Sequence, residues 1–263
     1  LLLSMALDKN VIDRTDFEAL QPAIDYYQNH GTATDKLRTH YYEGRIYQNA
    51  GQGDLAMKSF IKAREVEGPI TDTLTLGNLL VAQATYYYST YKVKEFIANN
   101  QQAARLYEAI GHSYYQFRSL LNTLDGSILN NDKPLADSIL TCCRSEIEKH
   151  PDYEASLLSY ILSYTITFGS DEEIRTAIES CLDKKNLSRN AKLKMALGYS
   201  KIGEAEKALQ IFAEASPSNS LSYLAIQMQV LKSNEKYKEA LDAYQSYSNT
   251  LEKKHQEIFS QDL

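Results

Sequence analysis

Apolar and small residues recur along this chain in steps of three and four, the period of a helix with one buried face. Phe17, Leu20, Ala23, Ile24 and Tyr27 share such a face, with Thr15 or Asp16 placed to cap the helix and His30-Gly31 to close it. The clearest stretch runs from Leu37 to Ala63, LRTHYYEGRIYQNAGQGDLAMKSFIKA. It predicts two amphipathic helices around a turn at Gly51 and Gly53, entered through a cap at Thr34-Asp35. Gly44 and Ala56 are small enough to let the two helices approach, and Tyr47, Phe60 and Ala63 fill the space toward the next pair.

The same pattern continues. Gly68-Pro69 and Thr71-Asp72 mark a loop and a fresh cap, and helices are predicted near 72–89, 93–110, 113–130 and 133–149. Ala103, Tyr107 and Ile110, then Ala136, Leu140 and Cys143, repeat the triplet Ala56, Phe60, Ala63. Ala56 and Ala103 stand 47 residues apart, Ala103 and Ala136 stand 33 apart, so an insertion is expected between the first two. Asp132 caps its helix and Pro134 sits in the first turn. A helix from Pro151-Asp152 to Phe168 turns at Gly169-Ser170-Asp171 into one ending near Leu182, with Ala177 and Cys181 inward. The last two units carry Ala196, Tyr199, Gly203, Ala208, Phe212 and Ala215, then Tyr237, Ala240, Tyr244 and Tyr247. The chain reads as one domain: a helical pair at 1–36, repeats at 37–247, and a charged helical extension at 248–263.

This arrangement resembles the tetratricopeptide repeat (TPR), a helix–turn–helix unit of about 34 residues. His40 stands where that family usually has Trp. The resemblance implies an all-α fold, a TPR-like α/α superhelix: a right-handed solenoid of six or seven antiparallel helix pairs. Each pair would bury its faces only on its neighbours. The first helix of each pair would line a concave surface, the usual binding face of the family. More narrowly, LLLSMALDKN, AIDYYQNHG and DKLRTHYYEGRIYQNAGQ are similar to the opening of a group of bacterial exported TPR proteins. Many of those carry a lipoprotein or signal segment just upstream. Some continue into a long helix, a membrane span and a DNA-binding module. The resemblance implies an extracytoplasmic sensory or scaffolding domain, a cytoplasmic one being the other reading.

Composition narrows the function. The net charge of −6, from 28 Lys+Arg against 34 Asp+Glu, is spread without a basic block, which argues against nucleic acid as a partner of this segment. No apolar run approaches the ~18 residues that span a bilayer. The chain opens on Leu1 rather than Met, which fits a mature or trimmed form. Of the three cysteines, Cys142 and Cys143 are adjacent and make poor disulfide partners, so all three read as small core residues.

No catalytic constellation stands out. His30, His40, His112, His150 and His255 are scattered, none at metal-ligand spacing from another His or Cys. Gly51-x-Gly53 lacks the strand that precedes a phosphate loop, and Gly126-Ser127 lacks the context of a nucleophile elbow. Glu172-Glu173 opens a helix, where negative charge suits the dipole. The expectation is a non-enzymatic chain without metal or cofactor.

Twenty tyrosines and no tryptophan are the unusual feature. They either replace Trp as packing or line a groove that grips an extended peptide. A sharper candidate is the row Arg38, Tyr41, Arg45 and Asn49, one face of the first helix of the Leu37–Ala63 unit. By resemblance, these positions face the concave groove, where basic and Asn side chains of several family members clamp a peptide carboxylate. The plainer reading is solvated charges pairing with Asp35 or Glu43. Arg118 is a supporting candidate, although its helix otherwise offers Leu121, Asp125 and Ile128. The expected function is a non-catalytic protein- or peptide-binding scaffold, the sensory part of a bacterial regulator. The alternative is a structural module that self-associates into a homo-oligomer through exposed tyrosines or its C-terminal helix.

Overall fold

Caps and turns set the architecture. The computed structural model describes residues 1–9, 12–182 and 187–261, which form α-helices, one short 3-10 turn and no strand. The helices are α1 (Leu2–Lys9), α2 (Gln21–His30), α3 (Ala33–Asn49), α4 (Gly53–Arg64), α5 (Thr73–Ser89), α6 (Val93–Ala109) and α7 (Ser113–Leu129). They continue with α8 (Lys133–Lys149), α9 (Glu154–Phe168), α10 (Asp171–Leu182), α11 (Arg189–Lys201), α12 (Ala205–Ala213), α13 (Leu221–Ser233) and α14 (Tyr237–Gln261). Thr32, Asp72, Asp132, Ser188 and Ser220 cap α3, α5, α8, α11 and α13, each side chain accepting a first-turn N–H that no helix carbonyl reaches.

The turns between many neighbouring helices are identical in kind. Three residues join α3 to α4, α5 to α6, α6 to α7, α7 to α8, α11 to α12 and α13 to α14. In each, the middle residue has positive φ: Gly51, Tyr91, Gly111, Asn131, Gly203 and Glu235. The N–H of the following residue reaches back to a carbonyl of the last turn, as from Lys92 to Tyr87 at 2.8 Å and from Asp132 to Ser127 at 2.9 Å. This satisfies helix-end carbonyls and reverses the chain at once, so consecutive helices run antiparallel.

Several predicted boundaries shift. The first helix of the Leu37–Ala63 unit is capped by Thr32, with Asp35 as the reciprocal partner of a capping box. Thr34, expected to cap, instead accepts the Thr71 N–H at 3.0 Å and ties α3 to the loop before α5. Helix α2 begins at Gln21, because Asp16 is engaged by Arg14 at 2.7 Å. Phe17 and Leu20 therefore sit ahead of the helix, Phe17 against Tyr47 with ring centroids 4.9 Å apart. The predicted extension 248–263 is the distal part of α14 as far as Gln261, its last two residues lying outside the described residues.

Repeat length also differs from the expected 34. Helices α3 to α8 start at 33, 53, 73, 93, 113 and 133, twenty residues apart, so a helix pair takes forty. Position for position, Ala56 of α4 corresponds to Phe96 of α6 and Ala136 of α8. Ala103 lies two turns further along α6, and no insertion is needed. Later pairs are shorter: α10, α12 and α14 start at 171, 205 and 237.

The chain divides into two compact units, residues 1–126 and 127–260. In the first, α2 packs on α3, α3 on α4 and α5, and α5 on α6. Its core holds Leu20, Leu37, Phe60 and Leu79, with Leu80, Ala103 and Tyr107 beyond. Fully burying a side chain the size of Phe60 contributes about 1.5–3 kcal/mol. In the second, α9 packs on α10 and α11, and α11 on α12 and α13, around Leu162, Ile174, Ile178, Met195 and Val230. Within each unit, the first helix of a pair touches the first helix of the next.

Candidate functional site

In the N-terminal unit this stacking of first helices opens a cleft of about 330 Å³. Tyr41 and Arg45 of α3 line it, facing Asn78, Val81, Ala82 and Thr85 of α5. Helix α7 contributes Tyr114, Tyr115, Arg118, Ser119 and Asn122, and Tyr107 of α6 closes the floor. On each helix the lining residues follow three- and four-residue steps, so one face of each is given to the cleft. No Asp or Glu lies among the residues that line it.

The floor is built around Gly77. A Cβ there would lie 2.7 Å from Cε1 of Tyr107, so only glycine lets this ring lie flat against α5. The buried Tyr107 hydroxyl donates to Asn78 Oδ1 at 2.7 Å. Burial, reinforced by the neighbouring Tyr115, raises its pKa far above the ordinary phenol value, so the donor stays protonated. Asn78 has spent its carbonyl on this bond and offers its amide hydrogens. Asn122 is the reverse: its Nδ2 donates to Asn100 Oδ1 at 3.0 Å, leaving its carbonyl as acceptor. Asn100 is held in turn by donating to the Phe96 carbonyl at 2.9 Å. The Ser119 hydroxyl, on a residue only 1% exposed, has no hydrogen-bond partner among the described residues. A buried hydroxyl left unpaired costs about 1–3 kcal/mol, and a ligand group reaching it would recover part of that.

The four residues of the predicted row are distributed. Tyr41 is 4% exposed, its ring centroid 4.8 Å from that of Tyr42, and it shows only an edge to the cleft. Arg45 lines the cleft and donates to Gln48 Oε1 at 2.6 Å. Asn49 donates to the Arg14 carbonyl at 3.2 Å and borders a separate cavity of about 30 Å³, shared with Arg45, Asp16 and Tyr42. Arg38 lines neither space: its Nε donates to Asp72 Oδ2 at 2.5 Å, bracing α3 against the N-cap of α5. The partner of Arg38 is thus Asp72, not Asp35 or Glu43, and the pair lies across helices rather than along one.

Arg118 does join Arg45 at the cleft, but with Tyr115, Ser119 and Asn122 as its row. Leu121 and Ile128 are buried on another face of α7. Asn78, Ser119 and Asn122 escaped the sequence reading, and Tyr107 entered it only as packing. The spacing of Tyr115, Arg118 and Asn122 was the available signal, equal in kind to that of Arg38, Tyr41 and Arg45. The tyrosines divide between two environments: Tyr42, Tyr107, Tyr199 and Tyr223 are buried as packing, while Tyr114 and Tyr115 are exposed and line the cleft.

Elsewhere, the described residues contain no group of three or more His, Cys, Asp or Glu placed to hold a metal. None of the described helices is long and apolar enough to cross a membrane. None of the three cysteines is in a disulfide; Cys143 and Cys181 are buried as expected, whereas Cys142 is exposed rather than a core residue. Burial, with the nearby Cys142 and Glu146, pushes the Cys143 thiol up to about 12, which keeps it protonated and unreactive. No protein-family model matches the chain, and no curated protein matches its sequence.

Proposed function

We propose that this chain is a non-catalytic helical-repeat scaffold of the tetratricopeptide type, and that its N-terminal unit binds an acidic peptide segment in the cleft between α3, α5 and α7. The observation that carries this reading is the chemistry of the lining: Arg45 and Arg118 both face the cleft and no Asp or Glu lines it, Arg45 meeting Asp13 at 3.8 Å from outside the lining. Arginine favours carboxylates because its fork of N–H groups can make two parallel bonds to one. Asn78 as donor and Asn122 as acceptor match the carbonyl and N–H of a peptide backbone. Tyr114 and Tyr115 supply apolar contact at small entropic cost. Forty-residue pairs set this scaffold apart from the usual 34-residue unit. The similarity of its opening residues to exported regulators supports a sensory role, with ligand capture in the cleft as the input.

The test is panning of random octapeptides displayed on phage against the chain. Selected binders should be rich in Asp and Glu. Arg45→Gln with Arg118→Gln should weaken them at least tenfold, since each charged hydrogen bond contributes about 1.5–3 kcal/mol. Arg38→Gln should leave affinity alone. Binders with no acidic preference, or acidic binders indifferent to the double substitution, would refute the reading.

A further inference from the structure

The last helix carries a second surface. Helix α14 is 25 residues long, and Ala243 and Tyr247 turn toward the core of the C-terminal unit. On an adjacent flank Tyr237, Leu241 and Tyr244 are 64%, 56% and 53% exposed, and Ser248 and half-buried Leu251 continue the line. The steps are four, three, four and three, the 3.5-residue spacing of a helix that pairs with another helix.

We infer that this flank is a homodimer interface in which α14 packs antiparallel on α14 of a second copy. Its side chains are complementary to themselves. A two-fold axis crossing the helix at Ser246 sets Leu241 opposite Leu251 of the second copy, and Tyr244 opposite its Ser248. Leucine then meets leucine, the Tyr244 ring meets a small serine, and Tyr237 falls opposite exposed His255 of the second copy. The same register brings exposed Lys238 beside exposed Glu252 of the second copy, and by symmetry the reverse, so two ion pairs flank the apolar seam. Such an isologous contact closes on itself and stops at two chains.

Sedimentation of the whole chain tests this. The expected mass is twice the 29.8 kDa of one chain at concentrations of about 10 μM. Leu241→Glu should return it to the monomer. Lys238→Glu or Glu252→Lys alone should weaken the dimer about tenfold, because each reverses two symmetric pairs. The double reversal should restore it, which a merely structural role would not produce. Circular dichroism should match wild type throughout, as these side chains are exposed. A wild-type chain that stays monomeric at about 100 μM would overturn the inference. So would a dimer that ignores Leu241→Glu, or charge reversals that the double variant fails to rescue.

Discussion

Gly77→Ala is the sharpest test of how the cleft is built, because two effects of opposite sign compete. Alanine is the better helix former by about 1 kcal/mol, so at an open position in α5 the substitution would stabilise. At this position the new Cβ would sit 2.7, 2.9 and 3.2 Å from Cε1, Cζ and Cδ1 of Tyr107. Relief requires the ring to retreat by most of an ångström. Tyr107 is fully buried and tethered through its hydroxyl to Asn78 at 2.7 Å, so retreat breaks that bond. Overpacking costs about 1–3 kcal/mol, and a buried polar group left without its partner costs about 1–3 kcal/mol more. Against a gain of about 1 kcal/mol, the expected net loss is about 1–5 kcal/mol. Urea unfolding should show a lower midpoint with an unchanged slope. In a Tyr107→Leu background the clash disappears and the same Gly77→Ala change should stabilise by up to about 1 kcal/mol. A stabilising Gly77→Ala in the wild-type chain, or an identical effect in both backgrounds, would refute the close-packing argument.

Two further expectations concern stability. Glu235 is an exposed non-glycine residue at φ 57°, in a turn whose counterparts include Gly51 and Gly203, so Glu235→Gly should stabilise by about 0.5–1 kcal/mol in thermal melts; no gain would show that the turn is unstrained. Burial alone would raise the pKa of Asp72, but hydrogen bonds from the Thr75 hydroxyl and N–H and from Arg38 outweigh it and hold the carboxyl below its ordinary value. A depressed carboxylate contributes stability above its unfolded pKa of about 3.9 and loses it as pH falls through the folded value. Arg38→Gln should therefore make the decline below about pH 4 shallower in acid-unfolding curves, and superimposable curves would count against the pairing.

The helical class and most helix limits were legible because capping residues and three-four periodicity are local. Asp72, Asp132 and Ser170 announce their helices within four residues. The repeat length was misread because a triplet led by a small residue was taken as the marker. Ala103 matches Ala136 in size, but the true counterpart of Ala136 is Phe96, whose bulk is accommodated by Gly126 on the following helix. Such compensation joins residues thirty apart and leaves no periodic trace. The candidate site followed the same rule. Spacing placed Arg38, Tyr41, Arg45 and Asn49 on one face of α3, yet what stands opposite each decides its use. Asp72 takes Arg38 and the Arg14 carbonyl takes Asn49, both more than thirty positions away.

The three-residue turns have a kinetic consequence. Closing a loop costs entropy that grows with its length, and here the links between many neighbouring helices are nearly as short as a reversal permits. Most partners in a pair therefore meet soon after each helix forms, and low sequence separation between contacts favours fast folding. During synthesis the first unit can assemble its core from residues already made, because the residues of that core all lie within the first 126 positions. The cleft between α3, α5 and α7 would then exist before α14 has been translated.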